Sequence, residues 1–335
     1  MAVPQPGRRR SMLRARPSGR VAAALVLAAI AVALRAGAVA PWLGPGEARD
    51  GGTAMAPAPT ESDPTEATLV GAGDIAVCDG DSDEATARLL DAIPGTVFAV
   101  GDNAYERGTA REFDRCYGPT WGRHRARTRP AAGNHDYGVR GAAAYFRYFG
   151  AAAGEPGKGY YSYDLGAWHV VVLNSNCAAV GGCGVGSAQE RWLRHDLDSH
   201  PSSCALAYWH HPRFSSGEHG DEPAMQAIWQ ALYDAGAEFV VSGHDHDYER
   251  FAPRDAHGTI DTEHGVRQFV VGTGGRALSP FTRPAGEASE ARDHGAHGVL
   301  KLTLTPSSYR WEFIPTIVGG FTDSGAAPCH GAPGP

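Results

Sequence analysis

The sequence predicts an α/β fold, a four-layer αββα sandwich in which two mixed sheets pack between helices. Short apolar runs of strand length alternate with helical patterns over much of the chain, and the carboxy-terminal part changes to strand pairs. Residues 68–335 are long for one domain but suit two sheets with extended loops. We therefore expect one domain over this range, with its functional residues on loops that follow strands.

Five apolar runs predict the strands that position those loops. Each run has the length of a strand and is followed at once by polar residues. Because all of these polar residues follow strands, we expect them to converge at one sheet edge. The runs lie at residues 69–72, 97–100, 128–131, 205–209 and 238–241.

Helical patterns separate the strands and then give way to a final strand pair. Acidic residues in the segment 79–83 favour the start of the first helix, because negative charge stabilises a helix amino terminus. The final pair covers residues 298–304 and 309–314 and turns at 306–308. The helical patterns lie at residues 82–92, 110–116, 141–149, 187–199 and 222–235.

Five short motifs follow the five predicted strands and carry residue types that bind metals. Any one of them alone would be typical of an ordinary turn, since Asp and Asn side chains hydrogen-bond local backbone. Five in order, ending in His-x-His, instead indicate a binuclear site built from hard and borderline ligands. The motifs are Gly73-Asp74, Gly101-Asp102-Asn103-Ala104-Tyr105, Gly133-Asn134-His135-Asp136, His210-His211-Pro212 and Gly243-His244-Asp245-His246.

Such a site suits displacement at phosphorus. In-line attack needs a nucleophilic hydroxide at neutral pH and neutralisation of developing negative charge, and two ions roughly 3.5 to 4 Å apart supply both. A carboxylate at a strand end, such as Asp102, can bridge two cations held that close. The pattern therefore indicates a two-metal phosphoesterase.

The motifs resemble those of the calcineurin-like metallophosphoesterases, over roughly residues 68–321. The first family motif usually reads Asp-x-His, whereas this chain has Asp74-Ile75-Ala76. The missing imidazole has a replacement, because Tyr105 stands three residues after Asp102, the spacing of the iron-binding tyrosine in purple acid phosphatases. The chain is therefore most similar to that branch, and the resemblance implies the metallophosphoesterase fold.

The resemblance also implies the ligands of the two ions. Asp102 would bridge the ions, and Tyr105 favours iron in the first site, with zinc, manganese or iron in the second. The identity of the pair stays open. The implied ligands are Asp74, Asp102, Tyr105 and His246 for the first ion, and Asn134, His210 and His244 for the second.

Three further histidines are implied near the reacting phosphate. His135, next to the Asn134 ligand, matches a histidine that contacts the phosphate. His219, nine residues after His210, matches a histidine that serves the leaving group. The family often has another histidine directly after it, where this chain has Gly220. His211 therefore stays open as an alternative general acid.

The function that the resemblance implies is that of an exported, acid phosphatase-like hydrolase of phosphoric monoesters. A metal-bridged hydroxide would attack phosphorus in line. A phosphodiesterase on the same metal core is the first alternative. A non-catalytic surface protein that binds a phosphorylated ligand is the second, and loss of a metal ligand would favour it. No ligand is missing from the motifs.

The amino-terminal 67 residues predict export and a tether. Six arginines precede fourteen uninterrupted apolar residues at 21–34, fewer than the ~20 that span a bilayer. Residues 1–40 therefore suit a signal peptide or signal anchor of the Sec or twin-arginine type. Residues 41–67, rich in Pro, Gly and Ala, predict a disordered linker. We expect a secreted or cell-envelope protein.

Charge limits the partners of the chain. The formal net charge is −7, and residues 1–40 contain seven arginines and no acids, so the mature part is near −14. Nucleic acid is an unsuitable partner, because its backbone calls for a basic footprint. With two lysines in the chain, no polybasic membrane patch lies beyond the signal region. The predicted partner is a small-molecule phosphate ester, drawn by the metals, and the oligomeric state stays open.

Six cysteines in an exported chain predict disulfides. Cys177 and Cys183 flank a short flexible loop and are the first predicted pair. Cys78 and Cys116 are the next candidates, which leaves Cys204 and Cys329 either bridged or free. No C-x-x-C pair occurs, so a cysteine zinc site is rejected.

Overall fold

The structure is a computed structural model, and it describes residues 66–202 and 204–330. The predicted signal segment, residues 1–40, lies outside the described residues, as does all but the end of the predicted linker, residues 41–67. None of the helices in the described ranges has the length and apolar character that a membrane crossing requires.

Two mixed sheets form the centre of the described domain, as predicted. One sheet has six strands in the order β13-β12-β11-β1-β2-β3, and the other has seven in the order β10-β8-β9-β7-β6-β5-β4. The strands are β1 (Ala67–Ala72), β2 (Thr96–Val100), β3 (Thr128–Ala131), β4 (Tyr161–Leu165), β5 (Trp168–Val172), β6 (Cys204–Tyr208), β7 (Phe239–Ser242), β8 (Tyr248–Phe251), β9 (Arg267–Val271), β10 (Ser289–Asp293), β11 (Gly298–Thr305), β12 (Ser308–Pro315) and β13 (Asp323–Pro328).

Parallel pairing explains why strand ends meet. β1, β2 and β3 run parallel, as do β5, β6, β7 and β9, so their carboxyl ends lie on one side of each sheet. The antiparallel strand β11 pairs with β1 and so joins the carboxy-terminal strands β12 and β13 to the first sheet. The Gly73 amide then donates to the Val271 carbonyl at 2.8 Å, which joins the end of β1 to the end of β9.

The expectation of one sheet edge is wrong in one respect. The five motif-bearing strands belong to both sheets, with β1, β2 and β3 in the first and β6 and β7 in the second. An apolar run that is buried on both faces looks alike in either sheet, so its sequence does not assign it to one of them. The motifs meet where the carboxyl ends of the two sheets come together.

The helices fall where the sequence places them, with altered ends. The predicted 110–116 helix begins as Ala110–Glu112, capped by Thr109 and Glu112, and continues as a π-helix over Phe113–Tyr117. The predicted 141–149 helix begins later, because Gly141 and Ala142 have positive φ. The α-helices are α1 (Ser82–Ala92), α2 (Ala110–Glu112), α3 (Ala143–Phe149), α4 (Ala188–Ser199) and α5 (Gln226–Asp234).

Two apolar cores hold the layers together. The larger lies between the sheets and includes Phe98, Phe239 and Leu300, all fully buried. The second lies between the seven-stranded sheet and helices α4 and α5, where Leu193 and Trp229 are fully buried. Burial of one aromatic or aliphatic side chain of this kind stabilises a fold by about 1.5–3 kcal/mol.

Three disulfides link the described residues. The predicted Cys177–Cys183 pair is confirmed, as is the Cys78–Cys116 candidate. Cys204 and Cys329, left open by the sequence, are also bonded. This last bond joins β6 of the seven-stranded sheet to the residue that follows β13 of the six-stranded sheet. Three disulfides fit an oxidising compartment.

Candidate metal centre

The backbone turns sharply at the residues that carry the predicted ligands. Asp74, Asp102 and His244 have φ of 60°, 48° and 71°, a region that L-residues rarely adopt. Each such residue costs of order 1–3 kcal/mol and persists only where surrounding structure imposes it. A Cβ on Gly243 would lie 2.5 Å from an Asp74 carboxylate oxygen, so the glycine lets the two strand ends approach. These turns direct the three ligand side chains toward one another.

The ligands predicted for the first ion lie in mutual contact. The Tyr105 hydroxyl donates to Asp74 Oδ1 at 2.8 Å and lies 3.2 Å from Asp102 Oδ2. His246 Nε2 is 3.3 Å from the same hydroxyl and 3.5 Å from Asp74 Oδ1. Two carboxylates, a phenol and an imidazole therefore point at a common centre.

The ligands predicted for the second ion form an adjoining cluster. His210 Nε2 lies 3.0 Å from Asn134 Oδ1 and 3.2 Å from His244 Nδ1. The same nitrogen lies 3.3 Å from Asp102 Oδ2, the oxygen that also faces Tyr105. Asp102 therefore stands between the two clusters, in the place that a bridging carboxylate requires.

Backbone carbonyls orient two of the imidazoles. His210 Nδ1 lies 2.8 Å from the Val100 carbonyl oxygen, and His246 Nδ1 lies 3.0 Å from that of Ala277. A proton on each Nδ1 leaves the Nε2 lone pair free and directed into the clusters. This arrangement is common among histidines that bind metals.

The electrostatics of the clusters fit bound cations. Burial opposes ionisation of Asp102, but His210 and His135 together outweigh it and lower the pKa of that carboxyl. Burial opposes protonation of His210, while Asp102 raises the pKa of that imidazole to about 9. Burial, assisted by Asp74, raises the pKa of Tyr105 well above its usual value. The buried Asp102 carboxylate thus favours positive charge at this centre, which a bound cation would supply while His210 stays neutral and keeps its Nε2 lone pair.

Comparison with known proteins places this geometry in a family. The sequence model of the calcineurin-like phosphoesterases matches residues 67–248, more than half of the chain. The chain belongs to the calcineurin-like phosphoesterase family. That family depends on a pair of metal ions, and the structure offers candidate ligand clusters for them.

Relatives support the predicted branch of the calcineurin-like phosphoesterases. Purple acid phosphatase 22 of Arabidopsis thaliana is 31% identical over 158 residues, which cover 43% of this chain and 34% of that protein. Purple acid phosphatase 21 of the same plant is 30% identical over 154 residues, with the same coverage. The chain thus spans about a third of the length of the curated relatives it matches.

A solved structure confirms the fold at larger coverage. The purple acid phosphatase PPD1 from yellow lupin superposes with a TM-score of 0.60 at 20% identity. The match covers 81% of this chain and 55% of that one. At this identity the likeness establishes only the fold of this calcineurin-like phosphoesterase.

Two of the three further histidines line one cavity at the clusters. The His135 amide donates to Asp102 Oδ1 at 2.7 Å, and its Nδ1 lies 2.6 Å from the Glu106 carbonyl oxygen. The His219 ring stacks on His244 with centroids 4.2 Å apart. Both side chains face a cavity of about 380 Å³ that Asp102 and His246 also line.

His211 lines a different cavity from His135 and His219. Its Nδ1 is 2.8 Å from the Ser175 hydroxyl, and its side chain lines a neighbouring cavity of about 410 Å³. Burial, together with His210, lowers the pKa of His211 to about 3. The two cavities share Asn134 as a lining residue.

Sequence reasoning missed two residues at this centre. Arg276 lines the cavity at the clusters, although it follows a glycine-rich turn whose sequence carries no ligand signal. Asp245 accepts the amide hydrogens of His219 and Gly220, at 2.6 and 3.1 Å. Its place inside the His-x-His motif was a usable signal, because a buried carboxylate there must find donors.

Proposed function

We propose that this calcineurin-like phosphoesterase is an exported hydrolase of phosphoric monoesters that uses two metal ions. The observation that carries the proposal is Asp102 Oδ2, which lies 3.2 Å from the Tyr105 hydroxyl and 3.3 Å from His210 Nε2. One carboxylate oxygen thus serves both donor clusters. The family match and the purple acid phosphatase relatives support the same chemistry.

The residues that would hold the ions follow from the contacts. When bound, the ions supply a nucleophile at neutral pH and offset charge on the phosphoryl oxygens. Tyr105 supports iron in the first site, since phenolate is a hard anionic donor, with zinc, manganese or iron in the second. Asp74, Asp102, Tyr105 and His246 would hold the first ion, and Asn134, His210, His244 and Asp102 the second.

Two histidines would move or hold protons around the substrate. His135, beside Asp102, would donate a hydrogen bond to a phosphoryl oxygen. His219, stacked on His244 and open to the cavity, would protonate the leaving group. His211 is a poor proton donor, because burial holds its pKa near 3 and keeps the ring neutral. We therefore favour His219 as the general acid.

Export and domain organisation form part of the proposal. The three disulfides support an oxidising destination. The predicted arrangement remains a signal peptide or signal anchor over residues 1–40, a linker over 41–67 and a catalytic domain over 68–335.

A phosphodiesterase is the second candidate, and one observation favours it. The cavity lined by His211 adjoins the metal clusters through Asn134. It offers space for a second organic substituent, which a diester carries and a monoester lacks.

The deciding experiment compares a matched aryl phosphomonoester and phosphodiester. Purified wild-type protein, with its metal content measured, should hydrolyse the monoester faster. Asp102→Asn should lower turnover by at least about 100-fold because the shared donor is lost. Asp91→Asn, at an exposed carboxylate on α1, is the control and should keep full activity.

The outcomes separate the candidates. Faster diester hydrolysis would favour the second candidate. Full metal content and full rate in both Asp102→Asn and His246→Ala would show that the proposed site is wrong. No turnover of either ester by fully metallated protein would favour a narrow natural substrate or a binding role.

A further inference from the structure

One arginine lies in the wall of the cavity at the metal clusters. Among the described residues that line this cavity, Arg276 is the only lysine or arginine. It shares the cavity with His135, His219 and His246. Its side chain keeps about 30% of its surface exposed, so the guanidinium is accessible to a ligand.

The backbone of Arg276 is fixed against the first cluster. Its amide donates to the Asp74 carbonyl oxygen at 2.8 Å. Its own carbonyl oxygen lies 3.0 Å from His297 Nε2. The position of the residue beside the first cluster is therefore set by main-chain contacts, and its side chain is not needed to hold it there.

The guanidinium rests on Tyr105. Its central carbon lies 4.8 Å from the centroid of the Tyr105 ring, a cation–π contact, and Nη1 pairs with the Glu106 carboxylate. A guanidinium has five N–H donors, and the described contacts of this one use a single acceptor. Donors therefore remain for a ligand in the cavity.

The ion pair with Glu106 is easy to exchange. The Glu106 carboxylate is 57% exposed, and pairs of this kind contribute little to stability. A phosphate oxygen accepts from arginine more strongly, since the contact is charge-assisted and matches the planar fork of the guanidinium. Arg276 can thus leave Glu106 for a phosphoryl group without loss of its backbone position.

We propose that Arg276 binds the outer oxygens of the substrate's phosphoryl group and selects dianionic monoesters over monoanionic diesters. This inference rests on the proposed function and adds the residue that sets its ester preference. A phosphomonoester loses its second proton near pH 6, so at neutral pH it carries nearly two charges, whereas a diester carries one. A fixed guanidinium therefore favours the monoester, and the sequence-based view that phosphate attraction comes from the metals alone is incomplete.

The test uses the full exported chain with two equivalents of metal, verified by elemental analysis for every variant. Binding of inorganic phosphate is measured by calorimetry, and kcat/KM is measured for a matched aryl monoester and diester. Arg276→Gln should weaken phosphate binding roughly tenfold to 100-fold, the usual effect of losing a charged hydrogen bond. The monoester to diester ratio of kcat/KM should fall by a similar factor.

Two variants separate substrate binding from a structural role. Arg276→Lys keeps the charge but loses the fork, so its phosphate binding should lie between those of wild type and Arg276→Gln. Glu106→Gln removes the competing acceptor and should leave phosphate binding equal or tighter. Glu106 suits this control because its carboxylate contacts Arg276.

The results that overturn the inference are specific. Unchanged phosphate binding in Arg276→Gln would exclude contact with the phosphoryl group. An equal fall for monoester and diester would show a positioning role for Arg276 without selectivity. If wild type hydrolyses neither ester, the proposed function fails, while the calorimetric comparison still decides whether Arg276 binds phosphate.

Discussion

At the scale of single residues, the candidate metal centre combines two destabilising features that an ordinary turn lacks, buried carboxyls and left-handed backbone. Asp74 and Asp102 are almost completely buried carboxyls, and both have positive φ. An unpaired buried charge and a left-handed backbone each cost a few kcal/mol at most sites. Each of the two residues accepts hydrogen bonds from the other motifs. This pattern is expected where the free energy of cation binding offsets the destabilisation.

Tyr105→Phe tests the identity of the first ion. Wild-type protein with its native metals should show a visible tyrosinate-to-iron absorption band, and Tyr105→Phe should lack it. Tyr145→Phe removes another buried phenol, which bonds the Pro130 carbonyl oxygen, and should keep the band. A colourless and fully active iron-free wild type would contradict the iron assignment.

Glu238 lies away from the candidate metal centre, and we expect it to make the stability of the domain depend on pH. It lies at the opposite end of β7 from His244, and burial raises the pKa of its carboxyl to about 8. The folded state thus holds this proton more tightly than the unfolded state. The contribution of Glu238 to stability is fully present below about pH 4.5 and is lost as the pH rises to about 8.

Glu238→Gln should remove that dependence. Urea unfolding at pH 8 should show the variant more stable than wild type by a few kcal/mol, with little difference at pH 4.5. Glu312→Gln, at an exposed glutamate, should show no such pH-dependent gain. A constant difference at both pH values would refute the assignment.

At the scale of elements, the loop that carries His219 is held by one carboxylate. Asp245 accepts from the amides of His219 and Gly220 and from the Ser215 hydroxyl. A Cβ on Gly217 would lie 2.4 Å from the Asp245 carboxylate carbon, so the loop packs directly on this group. Asp245 is therefore a positioning residue for the proposed general acid.

Asp245→Asn should affect poor leaving groups most. Its amide nitrogen would face amide donors, so the loop should shift and proton transfer from His219 should weaken. We expect kcat for an alkyl phosphate to fall at least about tenfold, and less for an activated aryl phosphate. Metal content should stay at two equivalents. Ser215→Ala, which removes one of the three donors, should show a smaller version of the effect, and equal loss for both esters would contradict the positioning role.

Sequence patterns at element scale predicted strand ends better than sheet membership. The strands that precede the motifs were predictable, because each is an apolar run that stops at a polar residue. Their division between two sheets was not, since it depends on which faces pack together. Arg276 was missed because it lies outside every motif. Asp245 was missed because its hydrogen-bond donors lie in a distant loop, although its place between two ligand histidines was a usable signal.

At the scale of the whole molecule, the bond between Cys204 and Cys329 ties the two sheets together. Its partners are 125 residues apart in sequence, while Cys177 and Cys183 are 6 apart. In the chain-entropy account, a bond that closes a longer loop restricts the unfolded state more. The inter-sheet bond should therefore contribute more to the stability of the domain.

Replacing each pair by serine tests this ranking. Cys204→Ser with Cys329→Ser should lower the free energy of unfolding by roughly 4 kcal/mol, and Cys177→Ser with Cys183→Ser by about 2 kcal/mol. Urea midpoints under oxidising conditions measure both, and added reductant should bring wild type down toward the variants. Equal losses for the two pairs would contradict the ranking.

The pairing of β1 with β11 also determines when β1 gains its second neighbouring strand during synthesis on the ribosome. Strand β1 leaves the ribosome early, but β11 emerges only after all seven strands of the second sheet have been synthesised. At ordinary elongation rates that interval lasts on the order of ten seconds or more, and one edge of β1 stays open throughout. Until β11 has emerged, a holding chaperone would find its binding segment at the open edge of β1, the strand that later presents Asp74.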